Sequence, residues 1–256
     1  MSATLDFTPA PGAAPFPRMV LAQAGAEIKA MLRNGEQLLL TMIIPVLLLV
    51  GFSVAPLIDV GGGDRVAFLA PGVLALAVMS TAFTGQAIAT GFERRYGVLR
   101  RLGATPLSRA GLMLAKTAAV IAVEAIQVGV IVAVALALGW QPQGSPFAAA
   151  LLVLLGTAAF SGLGLLMAGL LRAEATLAAA NLVYLLLLAA GGVVFPLAKF
   201  PASVRPVLEL LPISALTGGL RAVLTGGAAL PLGALAVLAA WAVVSLGVAA
   251  RTFRWE

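Results

Sequence analysis

Four polar side chains stand inside otherwise apolar runs of this chain: Gln86, Glu124, Gln127 and Asn181. Glu124 and Gln127 are three residues apart, so a helix places a carboxylate and a carboxamide on one face about half-way along their run. Such groups are costly against hydrocarbon and belong inside a helix bundle or on a wet cavity, where they meet a solute or hydrogen-bond a neighbouring helix. For Glu124 both roles stay open, whereas Gln86 and Asn181 read better as interhelical clamps. The tools of bond-breaking chemistry are missing. The sequence has no histidine and no cysteine, which removes imidazole bases, thiol nucleophiles and the usual zinc, copper and haem ligands. None of Lys29, Lys116 and Lys199 follows a glycine-rich loop, so there is no phosphate cradle of the G-x-x-x-x-G-K-[ST] form. Gly51-Phe52-Ser53-Val54-Ala55 has the outline of a nucleophile elbow without a histidine to activate the serine. Gly61-Gly62-Gly63, between Asp59 and Asp64, reads as a turn. The chain is expected not to be an enzyme.

The other concentrated chemistry is basic. Arg94, Arg95, Arg100, Arg101 and Arg109 crowd the stretch from Glu93 to Arg109, between two of the longest apolar runs. Burying them in lipid at about 2.5–3.5 kcal/mol each would cost about 12–17 kcal/mol, so this loop stays in water. Tyr96 to Leu102 predicts a short helix with Val98, Leu99 and Leu102 on one face and arginines around them. Gly103 closes it, and Thr105-Pro106 follows.

Elements that position these residues follow from composition. A chain of 256 residues that is 61% hydrophobic, 10% charged and has a mean hydropathy of +1.08 cannot hide its apolar surface as a soluble globule. Its net charge of +6 is spread over segment ends rather than gathered on a polar domain, which argues against nucleic acid as a partner. The expected fold is an all-α membrane protein with six transmembrane helices: Gln37 to Pro56, Val66 to Phe92, Ala110 to Leu138, Phe147 to Leu171, Ala175 to Phe195 and Pro231 to Ala250. Residues 1–17, rich in proline, are expected to be a disordered cytoplasmic tail. Residues 18–35 form an amphipathic interface helix with Val20, Leu21, Ala24, Ile28, Met31 and Leu32 on its apolar stripe. Residues 36–256 make up the six-helix domain.

Six crossings bring both termini to one side. Of the sixteen Lys and Arg residues, all but Arg65, Lys199, Arg205 and Arg221 fall on that side, which makes it cytoplasmic. Ala125, Gly129, Ala133 and Ala137 recur every fourth residue in the third run, as Ala158 and Gly162 do in the fourth, a spacing that permits close helix contact. Between the fifth and sixth runs, Pro196, Pro201, Pro206 and Pro212 cut a half-apolar segment into two pieces too short to cross. They are expected as two short re-entrant helices before the sixth span, marked by Phe195, Pro196, Pro212 and Arg221.

With these elements in place the chain resembles the membrane subunits of type-2 ATP-binding-cassette (ABC) exporters, especially the daunorubicin-resistance-like permeases of actinobacteria. The residues that carry the likeness are Glu93-Arg94-Arg95-Tyr96-Gly97-Val98-Leu99-Arg100-Arg101-Leu102 with Thr105-Pro106-Leu107, and then Gly191-Gly192-Val193-Val194-Phe195-Pro196, Leu211-Pro212 and Leu220-Arg221. Arg33-Asn34 before the Pro45-containing first run is a weaker echo. The resemblance implies a cytoplasmic coupling helix between spans two and three, gripped by an ABC ATPase subunit present in two copies. It assigns that contact to Glu93, Arg94, Arg95, Gly97, Leu99, Arg101, Leu102, Thr105 and Pro106. It further implies a second permease copy as a homodimer, ATP and Mg in the partner subunit with no cofactor on this chain, a bacterial plasma membrane, and an amphipathic drug, antibiotic or lipid as cargo. Two other functions compete: a membrane scaffold or sensor that binds a partner through the same loop, and a proton-driven transporter leaning on Glu124. The latter lacks an inverted repeat.

Overall fold

The computed structural model describes residues 12–55, 64–193 and 196–253, with the side chains of 36–38 and 40 left outside that description. Backbone groups inside long apolar runs have no water to bond, so they must satisfy one another, and every regular element among the described residues is helical. In chain order these are α1 (Phe16–Arg33), α2 (Gly35–Val54), α3 (Arg65–Arg95), α4 (Val98–Gly103), α5 (Arg109–Ala137), α6 (Pro146–Leu170), α7 (Ala173–Ala190), α8 (Arg205–Glu209), α9 (Pro212–Leu224) and α10 (Leu232–Thr252). Among the described residues, α3, α5, α6, α7 and α10 are long and apolar enough to cross a membrane. The first expected crossing corresponds to α2, whose described apolar part is Thr41–Val54.

α3 is the axis of the bundle. Nearly all of its apolar stretch is buried, while α7 and α10 leave most of theirs exposed. Midway, at Met79–Gly85, α3 widens into a π-helical turn that packs against α6. Nothing in the hydropathy pattern announces that turn. α6 lies most closely on α10, and the reason is a missing side chain: a Cβ at Gly162 would stand 2.7 Å from Leu246 N and overlap the Ser245 hydroxyl. Ser245 Oγ instead donates to Ala159 O at 3.1 Å across the seam. The other small-residue stripe behaves differently, since Ala125, Gly129, Ala133 and Ala137 are all exposed and no neighbour comes within 4 Å of a Cβ at Gly129.

The amphipathic first helix appears as α1, begun at Phe16 and ended at Arg33 by Asn34. Residues 1–11 of the expected tail lie outside the described residues. The stripe read from the sequence is only partly the packed one. Ala24 is buried and Val20, Ile28 and Met31 are half-buried, but Leu21 and Leu32 face outward. Gln23 and Glu27 take places on the inward face, toward α5. The pieces expected before the last span are present as α8 and α9, of 5 and 13 residues. At about 1.5 Å per residue α9 is roughly 20 Å long, too short to cross ~30 Å of hydrocarbon, and it is inserted among α3, α6 and α10.

Candidate functional site

The basic loop folds as a knob on the end of α3. Tyr96 stops α3, Gly97 turns the chain at φ 71°, and Val98–Gly103 winds one short helix. A left-handed backbone at this corner is what glycine supplies without strain. Thr105 Oγ1 donates to Leu102 O at 2.6 Å and Ser108 Oγ accepts from Gly111 N at 3.1 Å, so the way into α5 is held at both ends. Pro106 sits exposed between those two turns.

The apolar face of α4 points inward. Leu99 is fully buried in a cluster with Leu107, Leu112, Met113, Leu165 and Phe253, and the half-buried Leu102 packs against it together with Met19 and Val20 of α1. Within the single chain Leu99 and Leu102 are therefore the knob's root. Arg94 and Arg95 are likewise committed within the chain. Arg94 donates to Gly169 O at 2.8 Å and to Leu171 O, and Arg95 pairs with Glu174, so both clasp the α6–α7 connection. The free face is formed by Tyr96, 67% exposed, with Val98, Arg100 and Arg101. Tyr96 and Arg100 stand outside the contact set that the resemblance assigns, because a sequence pattern does not show which side of the helix packing leaves free.

Glu93 turns away from the knob's surface. Its carboxylate lies 2.6 Å from Lys116 Nζ on α5, and the same ammonium lies 3.0 Å from Glu27 of α1, whose other oxygen accepts from Gln23 at 2.8 Å. The Lys116 side chain is only 4% exposed. Three helices therefore meet in one acidic–basic–acidic cluster at the last turn of α3, the turn that leads into α4. Beside it is a cavity of about 150 Å³ bordered by Gln86, Thr90 and Asn34. Glu27 and Lys116 carried no signal in the sequence beyond being charges within apolar surroundings, and their separation by 89 positions hid the pairing.

Deeper in the bundle the polar residues act between helices. Ser161 of α6 donates to Gln86 Oε1 of α3 at 2.8 Å. Gln127 of α5 accepts from Thr81 Oγ1 of α3 at 3.0 Å and donates to Thr41 O of α2 at 2.5 Å. Glu124 of α5 accepts from the Thr157 hydroxyl of α6. Asn181 departs from the expectation: it is exposed on α7, and its amide donates to Leu177 O of its own helix at 2.9 Å. Hydropathy shows that a polar group sits in a span but not which way the helix is turned.

At the opposite end from α4, Arg221 of α9 is a three-way pin. It donates to Phe68 O at 3.2 Å, Gly192 O at 2.6 Å and Val193 O at 2.8 Å, with its guanidinium carbon 3.7 Å from the centre of the Phe68 ring. Pro212 opens α9 at its first turn and Pro196 precedes the single turn Leu197–Lys199. Phe195 lies outside the described residues.

Set beside known proteins, residues 20–225 match the family model described as ABC-2 type transporter. No curated protein matches the chain.

Proposed function

The chain belongs to the ABC-2 type transporter family, and from that premise we propose that it is the permease subunit of an exporter driven by ATP hydrolysed elsewhere. Membership makes it a multi-pass membrane component rather than the catalytic one, working with an ATP-binding subunit. The proposal goes further. Two copies of this chain form the pathway, two ATPase subunits with their ATP and Mg dock beneath, both termini are cytoplasmic in a bacterial plasma membrane, and the cargo is an amphipathic drug or lipid of the daunorubicin-resistance kind.

The observation that carries this reading is the free basic face of α4, seated on a buried leucine root. A partner pressing on Tyr96, Arg100 and Arg101 moves a body that cannot slide independently. Leu99 joins it to α5, α6 and α10, Arg94 to the α6–α7 connection, and Glu93 to Lys116 of α5 and through that ammonium to α1. That is the mechanical requirement for passing a subunit's stroke into several spans at once. The exposed apolar flank of α7, with Asn181 on it, supports a second copy there, because an amide is costly against lipid and gains from a partner helix.

The test is reconstitution of the chain with its cognate ATPase in proteoliposomes. ATP should drive movement of a fluorescent amphipathic substrate, and Arg100→Glu with Arg101→Glu should abolish it while the permease remains folded. An intact complex that hydrolyses ATP and moves neither drug nor lipid would favour the scaffold function instead.

A further inference from the structure

α5 and α6 follow one another in sequence yet touch little, because α6 gives its close face to α10. The gap between them is a cavity of about 470 Å³. Its walls include Ala125 and Val128 of α5 and Val153 and Leu154 of α6, and Leu220 of α9 lines it from within. Ala125 and Leu154 are exposed, as are Pro142 and Gly144 of the α5–α6 connection and Pro146 at the start of α6, so the cavity opens between these two helices and toward their connection. Its size falls within the ~300–1,000 Å³ of small-molecule sites, which are mostly apolar with a few placed polar groups.

One buried carboxylate oxygen on this lining has no partner among the described residues. Glu124 is 2% exposed; one carboxylate oxygen accepts from Thr157, and Oε1 accepts from nothing among the described residues. Trp140, 3% exposed, lies on the same lining beyond the end of α5. Buried polar groups are ordinarily satisfied, and a carboxylate has capacity for about four hydrogen bonds. One water is a poor answer here: it fills little of an apolar cavity of about 470 Å³, and a buried water needs two or more polar partners close together. An elongated apolar body with one N–H donor answers both the shape and the orphaned oxygen, and a positive charge on that donor gives the strongest hydrogen bond to a carboxylate.

The geometry points to a site between α5 and α6 within a single chain that binds a lipophilic amine, its nitrogen on Glu124 and its chain running toward Trp140. The site is separate from a pathway between two copies. It needs no ATPase, so its failure would leave the permease assignment standing.

The full chain in phosphatidylcholine nanodiscs is irradiated with dodecylamine carrying a terminal diazirine, and adducts are mapped by mass spectrometry. Labelling should concentrate on 121–132, Trp140 and 149–154, saturate, and be competed by dodecylamine but not by dodecanol. Glu124→Gln should weaken saturable labelling about tenfold or more, since it leaves the amine without its charged acceptor. Ala125→Phe, which fills the mouth and spares Glu124, should remove it. If Glu124→Gln does not fold, Ala125→Phe decides. Adducts spread evenly over the exposed faces of α7 and α10, competition by dodecanol equal to that of the amine, or parent-level labelling in either folded variant would overturn the proposal.

Discussion

Lys116→Met is the perturbation that asks most of the cluster at the last turn of α3. Methionine keeps the length of the stem and so preserves packing, while it deletes an ammonium placed 2.6 Å from Glu93 and 3.0 Å from Glu27. Two carboxylates then face each other in a space where the lost side chain was 4% exposed. Removing one partner of a buried ionic group costs about 3–5 kcal/mol, most of it the burden of charge left unpaired. Soluble chains of this size lose about 2–4 °C of Tm per kcal/mol, so the drop should be about 6–20 °C. Adding Glu93→Gln to Lys116→Met should recover part of it, because one unpaired carboxylate is removed, and the double-mutant cycle then reports a coupling well above zero. The assay is survival of the monodisperse peak on size-exclusion chromatography after stepwise heating in detergent. A Tm for Lys116→Met within a degree of the parent, with no recovery in the double variant, would refute the argument that this cluster ties α1, α3 and α5 together.

The knob divides by face: Leu99→Ala should cost about 2–5 kcal/mol of stability through the cavity it leaves, read on the same chromatographic scale, because Leu99 is fully buried. Arg101→Glu, on the exposed side, should leave Tm unchanged and remove the ATPase from an affinity pull-down. Gly162→Val should lower Tm sharply, since its side chain meets Ser245 and Leu246 backbone, whereas Gly129→Ala, with open space around it, should be nearly silent in the isolated chain. Arg221→Met should strand three backbone carbonyls and loosen α9 by at least about 2 kcal/mol, seen as faster proteolysis between α7 and α9.

Most of the helices were legible because hydropathy and length decide them. The starts and stops of α3, α5, α6, α7 and α10 fall within a few residues of the apolar runs, and Pro212 marks the opening of α9 as its ring requires. Orientation was not legible in the same way. A pattern such as Val98, Leu99, Leu102 identifies an apolar face but not what covers it, and nothing in the pattern says that Leu99 packs on Leu112, Met113, Leu165 and Phe253. Asn181 faces outward for a related reason: six apolar faces compete for one interior, and α7 receives little of it. Glu27 and Lys116 were hidden because buried charges are recognised by their partners, and those partners came from other helices. At the π-helical turn Met79–Gly85, Gly164 lets α6 approach the Phe83 carbonyl closely, which is a tertiary fact with no local signature.

Because the chain contains no cysteine, a single introduced thiol can test the central claim directly. Arg101→Cys is exposed on α4, and Lys199→Cys lies at the other end of the bundle, near α8. Each variant is expressed in cells with the cognate ATPase and treated with a membrane-permeant bifunctional crosslinker, and a membrane-impermeant maleimide is applied to parallel samples of intact cells. The account predicts a permease–ATPase adduct through Arg101→Cys alone, with that thiol shielded from the impermeant reagent and the one at 199 open to it. Labelling of Arg101→Cys from outside intact cells, or an ATPase adduct formed through position 199 instead, would contradict it.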